Sequence, residues 1–334
     1  MARNREKRLE RRFSLAAKAK TRDKLAALAP RLVFGLLRMM PPLAAMALLG
    51  GVLSVVGPRL DRSRRMRRTL ELAFPDLDRK AREARVRSIW RSFGHTLASI
   101  PHLDSFKAGT RGTRVRAGGM DVLAELRGRA FIACGAHVGN WEAMAALPPE
   151  AWRATVISYN PQENPVMEAT IQRYRAVTGA EFVRKEHIPR MAARTLREGK
   201  IFYFTIDQRV EQGEEISFLG LPALASRLPA RLAVKYRCPI VPVEAIGLGA
   251  GQLEAHFHKP LWPDERISDP EERSRELMIR MFREIEAIVL RNPDQWFCLK
   301  ARWSRREAAR IHADRPAAER RARKLAVFKP ISGP

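Results

Sequence analysis

The sequence predicts an α/β fold in which a mainly parallel central sheet is wrapped by helices. From residue 130 onward, short apolar runs of strand character alternate with stretches whose apolar residues recur at helical spacing. Alternation of this kind is typical of a parallel sheet with helices on its faces. With 46% hydrophobic residues among 334, the chain can also bury a large core, which excludes disorder throughout.

The predicted elements follow one another in a regular order. A helical layer at 63–100 and a short helix at 120–126 come before the sheet, whose opening strand starts at Ala130. The further predicted strands are 155–159, 180–183, 200–206, 239–246 and 253–259. The predicted helices among and after them are 163–177, 189–197, 229–236 and 270–290. A loop is expected around Gly213.

An uncharged run precedes these elements. No charged residue occurs from Met39 to Pro58, and the run approaches the ~20 residues needed to span a bilayer. Basic residues flank it on both sides and Pro41-Pro42 interrupts it, which favours either a shallow or re-entrant anchor or a single span of open topology. A buried core helix is the alternative. The predicted organisation is a basic arm (1–24), a membrane-associated segment (25–62), a main domain (63–303) and a basic C-terminal tail (304–334).

The formal net charge of +26 is extreme, and much of it lies in the tails. Residues 1–24 hold ten Lys and Arg against three acids, and residues 300–334 hold eleven against three. Such a balance implies an anionic partner, but charge alone does not choose among nucleic acid, acidic phospholipid and an acidic protein. The tails contain few aromatic residues, which argues against stacking on single-stranded nucleic acid.

Several classes of site are disfavoured by the motifs. Cys134, Cys238 and Cys298 lie far apart with no C-x-x-C pair, so neither a disulfide framework nor a cysteine-based zinc site is expected. The chain has no G-x-S-x-G elbow, no P-loop and no G-x-G-x-x-G after a strand, which disfavours serine hydrolases, nucleoside triphosphatases and dinucleotide enzymes. We expect neither a metal ion nor a cofactor.

The stretch 130–142 carries the candidate chemistry. Its opening strand delivers His137 to a carboxyl end, where ligands of α/β sheets collect. A turn then leads into a predicted helix at 141–147, and Glu142 in its first turn could fold back toward the imidazole. A carboxylate on one ring nitrogen fixes the tautomer and raises the basicity of the other, as a general base requires. The alternative is a polar helix start capped by Asn140, with a satisfied His beside it.

The segment H-V-G-N-W-E at 137–142 resembles the H-x4-(D/E) motif of the lysophospholipid acyltransferase superfamily, in the G-N-W-E form of the bacterial lipid A biosynthesis lauroyl and myristoyl acyltransferases. Five further segments resemble that family in the same order along the chain. They are R-R-T-L-E-L-A-F-P-D-L, Tyr174-Arg175, I-D-Q at 206–208, F-L-G-L-P-A, and P-D-Q-W with A-R-W. The resemblance runs from about Arg64 to Trp303, so the main domain is expected to be an acyltransferase domain.

The resemblance implies transfer of a fatty acyl chain from acyl carrier protein to a hydroxyl of a lipid A precursor, an anionic glycolipid, at the cytoplasmic face of the bacterial inner membrane. It implies that His137 is the general base and that Glu142 orients it. Substrate would be bound or positioned by Arg175, Asp207, Asn140 and Gln208, with Arg175 against phosphate or the phosphopantetheine of the carrier.

Two other functions stay open at this point. A related acyltransferase could use another acceptor, such as a lysophospholipid or other glycolipid. The chain departs from the family pattern at Ala223-Leu224-Ala225-Ser226 and at Lys300-Ala301-Arg302-Trp303, which leaves acceptor and chain length open. A basic membrane-bound nucleic-acid-binding protein would use the tails and leave His137 idle, and we expect no specific nucleic acid partner.

Overall fold

The structure is a computed structural model that describes residues 21–147, 155–249 and 251–314. The basic arm up to residue 20 and the tail from residue 315 therefore lie outside the described residues. The described helices are α1 (Thr21–Met39), α2 (Pro42–Val56), α3 (Ser63–Ala73), α4 (Arg79–Ser99), α5 (Leu103–Ala108), α6 (Met120–Glu125), α7 (Pro165–Arg175), α8 (Ile188–Arg197), α9 (Leu228–Tyr236), α10 (Pro270–Arg291) and α11 (Arg305–Asp314).

A seven-stranded sheet forms the centre of the molecule. The described strands, of which β6 and β7 lie outside this sheet, are β1 (Arg114–Gly118), β2 (Phe131–Gly135), β3 (Val156–Tyr159), β4 (Glu181–Arg184), β5 (Ile201–Thr205), β6 (Glu214–Phe218), β7 (Leu221–Ala225), β8 (Ile240–Gly249) and β9 (Gln252–Phe257). The sheet order is β1-β9-β8-β2-β5-β3-β4, and β6 pairs with β7 in a separate hairpin. Within the sheet only β8 and β9 pair antiparallel. The predicted mainly parallel sheet wrapped by helices is confirmed.

Both faces of the sheet are buried, as the apolar character of its strands requires. In β2 the side chains alternate between two cores. Ile132 and Cys134 face a core built with α4, α9 and α10, whereas Phe131 and Ala133 face a core built with α5 and α6. The strand is therefore fixed from both sides, and the segment that follows it starts from a rigid base.

One expectation about local structure was wrong. The predicted helix at 141–147 is only a short 3-10 turn, Ala143–Ala146. The start of the turn is held by Asn140, whose Oδ1 accepts a hydrogen bond from the N–H of Ala143. The predicted loop around Gly213 is confirmed, and it leads directly into the β6–β7 hairpin, which closes at Leu219-Gly220 with both residues at positive φ.

The uncharged run forms α2, which packs with α4 through glycines. Gly94 of α4 faces the backbone of α2, and a Cβ atom built on Gly94 would lie 2.7 Å from the Cα atom of Gly50 and from the carbonyl oxygen of Leu49. By length and composition, 42–59 is the one described stretch that could cross a membrane, with 28% of its residues buried. The helix thus rests on the domain along one side only.

Helix α11 extends the packed domain into the segment predicted as a C-terminal tail. Ala308 and Ile311 are buried in the main core, and the Glu307 carboxylate accepts hydrogen bonds from Arg209 and from the N–H of Ser304. The first part of this segment, as far as Asp314, is therefore folded against the rest of the protein.

Replacing Gly94 by Ala tests the close contact between α2 and α4. The new methyl group meets backbone atoms that cannot rotate away, so we expect a loss of about 1–3 kcal/mol in the free energy of unfolding. Gly51→Ala is the matched control, because Gly51 is also helical but has open space around it. It should be neutral or stabilise by up to about 1 kcal/mol. Denaturant unfolding measures the free energy of unfolding of both variants. Equal values for Gly94→Ala and Gly51→Ala would contradict the close contact between α2 and α4.

Candidate active site

His137 lies at the carboxyl end of β2, beside the end of β5. The two strands are parallel neighbours, with Gly135 level with Thr205, and the ladder continues where the N–H of Ile206 donates to the carbonyl of Gly135 at 3.0 Å. Two residues beyond this rung, His137 and Asp207 face each other across neighbouring strand ends. The sheet register alone therefore brings together two residues that are 70 positions apart.

The His137 imidazole is bound by Asp207. Its Nδ1 lies 2.7 Å from Oδ1 of Asp207, and the backbone N–H of His137 donates to the same oxygen at 3.1 Å. Because a carboxylate accepts only, Nδ1 carries the proton and Nε2 keeps its lone pair. The His137 side chain is 18% exposed and that of Asp207 is 2% exposed. The oriented imidazole is thus partly accessible to solvent, whereas its carboxylate partner is shielded from it.

Trp296 completes the surroundings of Asp207, and sequence reasoning assigned it no role beyond its place in P-D-Q-W. Its indole N–H donates to Oδ2 of Asp207 at 2.9 Å, and its backbone forms an antiparallel bridge with Val138. Burial alone would raise the pKa of Asp207, but the charge and hydrogen bonds of His137 and the Trp296 N–H outweigh it and lower that pKa below its ordinary value. Asp207 is therefore an ionised carboxylate.

Glu142 lies elsewhere than the sequence predicted. Its carboxylate accepts two hydrogen bonds from Arg175, at 2.9 Å from Nε and 2.5 Å from Nη2, and none from His137. Both side chains are about nine-tenths buried. The geometric expectation that Glu142 folds back onto the imidazole is wrong, because a buried guanidinium at the end of α7 binds it and Asp207 already binds Nδ1.

The Glu142–Arg175 pair is also held by aromatic rings. The Arg175 guanidinium lies 4.6 Å from the ring centroid of Phe182 and 5.3 Å from that of Tyr159, on the two strands that flank α7. Rings stacked on the flat faces of a guanidinium leave its edge free for bidentate bonds to a carboxylate. Arg175 therefore links the loop after β2 to α7, β3 and β4.

Gly139 allows the chain to turn sharply after His137. Its φ is +61°, and a Cβ atom there would lie 1.8 Å from the carbonyl oxygen of Ala245. The N–H of Gly139 donates to the carbonyl of Gln295 and the N–H of Asn140 donates to that of Ala245, both at 3.1 Å. Only glycine fits this backbone, and the turn is bound to β8 and to the segment that carries Trp296.

Asn140 is buried and holds the loop. Its Oδ1 accepts from the Ser99 hydroxyl and from the N–H of Ala143, each at 3.2 Å, and Thr96 donates to the neighbouring carbonyl of Gly139 at 3.0 Å. These contacts match the alternative that Asn140 caps the next turn. Contact of Asn140 with substrate stays a prediction.

Gln208 follows Asp207 and lies against the imidazole ring. Its amide nitrogen is 3.3 Å from Nδ1 and 3.2 Å from Nε2 of His137. The amide nitrogen is therefore within hydrogen-bond distance of Nε2, so a polar amide lies beside the ring nitrogen that Asp207 does not bind.

Aromatic side chains form the wall next to His137. The Trp141 ring meets the imidazole edge to face at 5.2 Å, and Phe297 stacks on Phe93 at 3.9 Å and on Trp141 at 5.6 Å between ring centroids. This half-buried cluster gives the imidazole an apolar side and a polar side, where Gln208 lies. A substrate with an apolar chain and a polar head matches that division.

The described residues offer no obvious alternative chemistry. They contain no group of three or more His, Cys, Asp or Glu side chains that could hold a metal ion. The three cysteines are free and buried, and burial raises the pKa of each thiol, to about 12 for Cys238. Buried thiols of this kind are poor nucleophiles, so His137 is the reactive group that the site presents.

Removing the Glu142 carboxylate should leave the buried Arg175 guanidinium without its charged partner. For Glu142→Leu we expect a loss of about 3–5 kcal/mol in the free energy of unfolding, because Arg175 keeps its charge without a partner. The double variant Glu142→Leu/Arg175→Met removes both charges and should recover most of that loss. Chemical denaturation measures both. A double variant as unstable as the single one would contradict a role for the ion pair.

The lowered pKa of Asp207 predicts a pH-dependent contribution to stability. At pH 7, Asp207→Asn should cost about 1.5–3 kcal/mol, the range for hydrogen bonds to a charged group. The stabilisation is present above the unfolded pKa of about 3.9 and is lost as pH falls through the lower folded value. The difference between wild type and variant should therefore shrink below about pH 4. Unfolding curves between pH 7 and pH 3 test this, and a constant difference would refute it.

Comparison with known proteins places this site in a family. A comparison with curated proteins found no match to the chain. A comparison with protein families matches residues 24–305 to the bacterial lipid A biosynthesis acyltransferases, which covers most of the chain, including most of α1, all of α2 and the whole sheet. Proteins of this kind are typically membrane-associated. With His137, Asp207, Glu142 and Arg175 all inside the matched range, the chain belongs to the bacterial lipid A biosynthesis acyltransferase family and is an acyltransferase.

Proposed function

We propose that this acyltransferase moves a fatty acyl chain from the thioester of acyl carrier protein to a hydroxyl of a lipid A precursor, with His137 as general base. The observation that carries the proposal is the partly exposed imidazole whose Nδ1–H is bound by a buried carboxylate and whose Nε2 is not bound by that carboxylate. Family membership supplies the class of reaction. The donor, the acceptor and the roles of individual residues are our inference.

The proposed reaction needs one proton acceptor and no covalent enzyme intermediate. Nε2 of His137 takes the proton of the acceptor hydroxyl while its oxygen attacks the thioester carbonyl. The tetrahedral intermediate then collapses, the carbon–sulfur bond breaks, and the imidazolium returns the proton to the thiolate that leaves. Asp207 keeps the imidazole in the required tautomer and stabilises the imidazolium, since its charge lies 2.7 Å from Nδ1. The orienting role that the resemblance gave to Glu142 therefore passes to Asp207.

Glu142 and Arg175 act in this scheme through the loop that carries His137. The ion pair fixes the segment after Gly139. Because Glu142 neutralises the guanidinium and occupies its Nε and Nη2, contact of Arg175 with a phosphate of the acceptor or of the phosphopantetheine arm rests on the family resemblance alone. Gln208 lies on the polar side of the imidazole and would contact the acceptor near its reacting hydroxyl.

The charge of the protein fits these partners. Acyl carrier proteins are acidic, lipid A precursors are phosphorylated and the cytoplasmic leaflet is anionic, whereas this chain carries a formal net charge of +26. We therefore place the protein at the cytoplasmic face of the inner membrane. A lysophospholipid or another glycolipid as acceptor would use the same dyad, and the assay distinguishes these acceptors by the product formed.

Purified protein in phospholipid vesicles, given acyl carrier protein thioester and a phosphorylated glucosamine disaccharide lipid, should form an acylated product seen by mass spectrometry. His137→Ala should lower kcat by about 10²–10⁴, because general base catalysis is lost. His187→Ala is the matched control, since His187 is exposed beside the far edge strand β4 and should leave the rate unchanged. Unchanged transfer by His137→Ala would refute the assignment.

A double-variant experiment tests whether Asp207 acts through His137. If Asp207 acts through the imidazole, Asp207→Asn should lower kcat in wild type but have little further effect in His137→Ala. A loss of the same factor in both backgrounds would mean that Asp207 does not act through His137. Formation of an acylated lysophospholipid but no acylated disaccharide would replace the proposed acceptor and leave the dyad in place.

A further inference from the structure

The acyl transfer proposed above creates a negative charge that needs a hydrogen-bond donor. When the acceptor oxygen bonds to the thioester carbon, an electron pair of the carbon–oxygen double bond moves to the carbonyl oxygen. Enzymes stabilise such an oxyanion with donors aimed at the place where the charge develops, and losing one donor costs about 10²–10³ in kcat. A donor with this role must lie beside Nε2 of His137, where the acceptor hydroxyl gives up its proton.

Four backbone N–H groups of the turn after β2 are already bound within the protein. The N–H of His137 donates to Asp207 at 3.1 Å. Those of Gly139 and Asn140 donate to backbone carbonyls, each at 3.1 Å. The N–H of Ala143 donates to the Asn140 side chain at 3.2 Å. Backbone donors form the oxyanion site of many acyl-transfer enzymes, but here these four hold the turn in place instead.

Two arginines beside the site are bound as well. Nε and Nη2 of Arg175 both donate to Glu142. Arg209, which follows Gln208 in the chain, donates from Nε and from Nη1 to two different carboxylates, at 3.1 and 2.5 Å. Both cations are therefore paired with carboxylates, and neither can bind an oxyanion without breaking an ion pair.

The Gln208 side chain offers an uncharged donor at the required place. It is half-buried, and its amide nitrogen lies 3.2 Å from Nε2 and 3.3 Å from Nδ1 of His137. A point in the ring plane at these distances would overlap Cε1, so the nitrogen lies over one face of the imidazole. The nitrogen carries two N–H groups, and it has no hydrogen-bond partner other than the imidazole among the described residues. At least one N–H therefore remains for a substrate.

We propose that Gln208 is a catalytic residue whose amide N–H binds the carbonyl oxygen of the acyl thioester as it becomes an oxyanion. This role rests on the proposed acyl transfer and adds to the contact with the acceptor given above. The end of β5 then supplies two parts of the machinery in succession, because Asp207 orients the base and Gln208 binds the charge that the base helps to create.

The proposed steps balance with this donor in place. First, the acceptor oxygen bonds to the thioester carbon, its proton passes to Nε2 of His137, and the oxyanion accepts a hydrogen bond from Gln208. The oxyanion then re-forms the double bond, and the carbon–sulfur bond breaks with its electron pair on sulfur. The imidazolium protonates that sulfur, so the products are an ester and a thiol. Gln208 changes neither its charge nor its bonds, as expected for an electrostatic role.

Steady-state kinetics of the full chain tests the role. Gln208→Met keeps the length of the side chain but removes the donor, so kcat should fall by about 10²–10³ while the KM of each substrate changes less than about threefold. Gln212→Met is the matched control, because Gln212 is exposed in the same loop and should leave kcat unchanged. An unchanged kcat with a raised KM for the acceptor would overturn the proposal, since Gln208 would then only bind the acceptor.

Equilibrium binding of two unreactive acyl-pantetheine analogues separates this role from a structural one. A ketone in place of the thioester resembles the substrate, whereas a phosphonate resembles the tetrahedral oxyanion. Gln208→Met should weaken binding of the phosphonate by about 100-fold and that of the ketone by less than about threefold. An equal loss for both analogues, or no loss for either, would overturn the proposal.

The binding experiment also distinguishes failure of this role from failure of the proposed reaction. Selective loss of phosphonate binding in Gln208→Met supports the oxyanion role even if wild type forms no acylated disaccharide, in which case the acceptor is wrong. Wild type that binds neither analogue would refute the acyl donor, and the role of Gln208 with it. Product formation by wild type with undiminished kcat in Gln208→Met would refute the role of Gln208 alone.

Discussion

The hydrogen bond between His137 and Asp207 is the interaction on which the site depends, and it is a product of the sheet. Parallel pairing of β2 with β5 aligns the two strand ends, so that the imidazole and the carboxylate meet without help from any long loop. Burial would make a lone carboxylate protonate, but the donors around Asp207 keep it charged. The same bond fixes the imidazole tautomer, so structure and chemistry rest on one contact.

Other buried charges around this contact differ in how far their polar atoms are paired. Glu142 and Arg175 neutralise each other, whereas Arg302 is almost fully buried and, among the described residues, its Nε and Nη2 have no hydrogen-bond partner. Arg302 lies 5.0 Å from the ring centroid of Phe218, which meets Trp296 at 6.4 Å. Burial lowers the pKa of Arg302 to about 10, which leaves it charged at neutral pH. A cation behind the Trp296 layer favours the ionised form of Asp207.

The sequence predicted the sheet well because strand and helix periods alternate clearly after residue 130. Asp207 and Gln208 were also predicted to lie at a strand end, but the sequence does not indicate which strands are neighbours in the sheet. That order, set by β2 lying between β8 and β5, decides which carboxylate reaches His137. Local spacing favoured Glu142, five residues away, and missed a partner 70 residues away. The P-D-Q-W segment was the signal that could have pointed to Trp296, whose role depends on a bridge to Val138.

The bridge between Val138 and Trp296 also sets an order of events during synthesis. Helices α1, α2 and α4 are made first, whereas the donor to Asp207 is made 89 residues after Asp207 itself. A nascent chain can therefore pair β2 with β5 before the indole that bonds Asp207 has been made. The complete set of donors around Asp207 is acquired only late in synthesis.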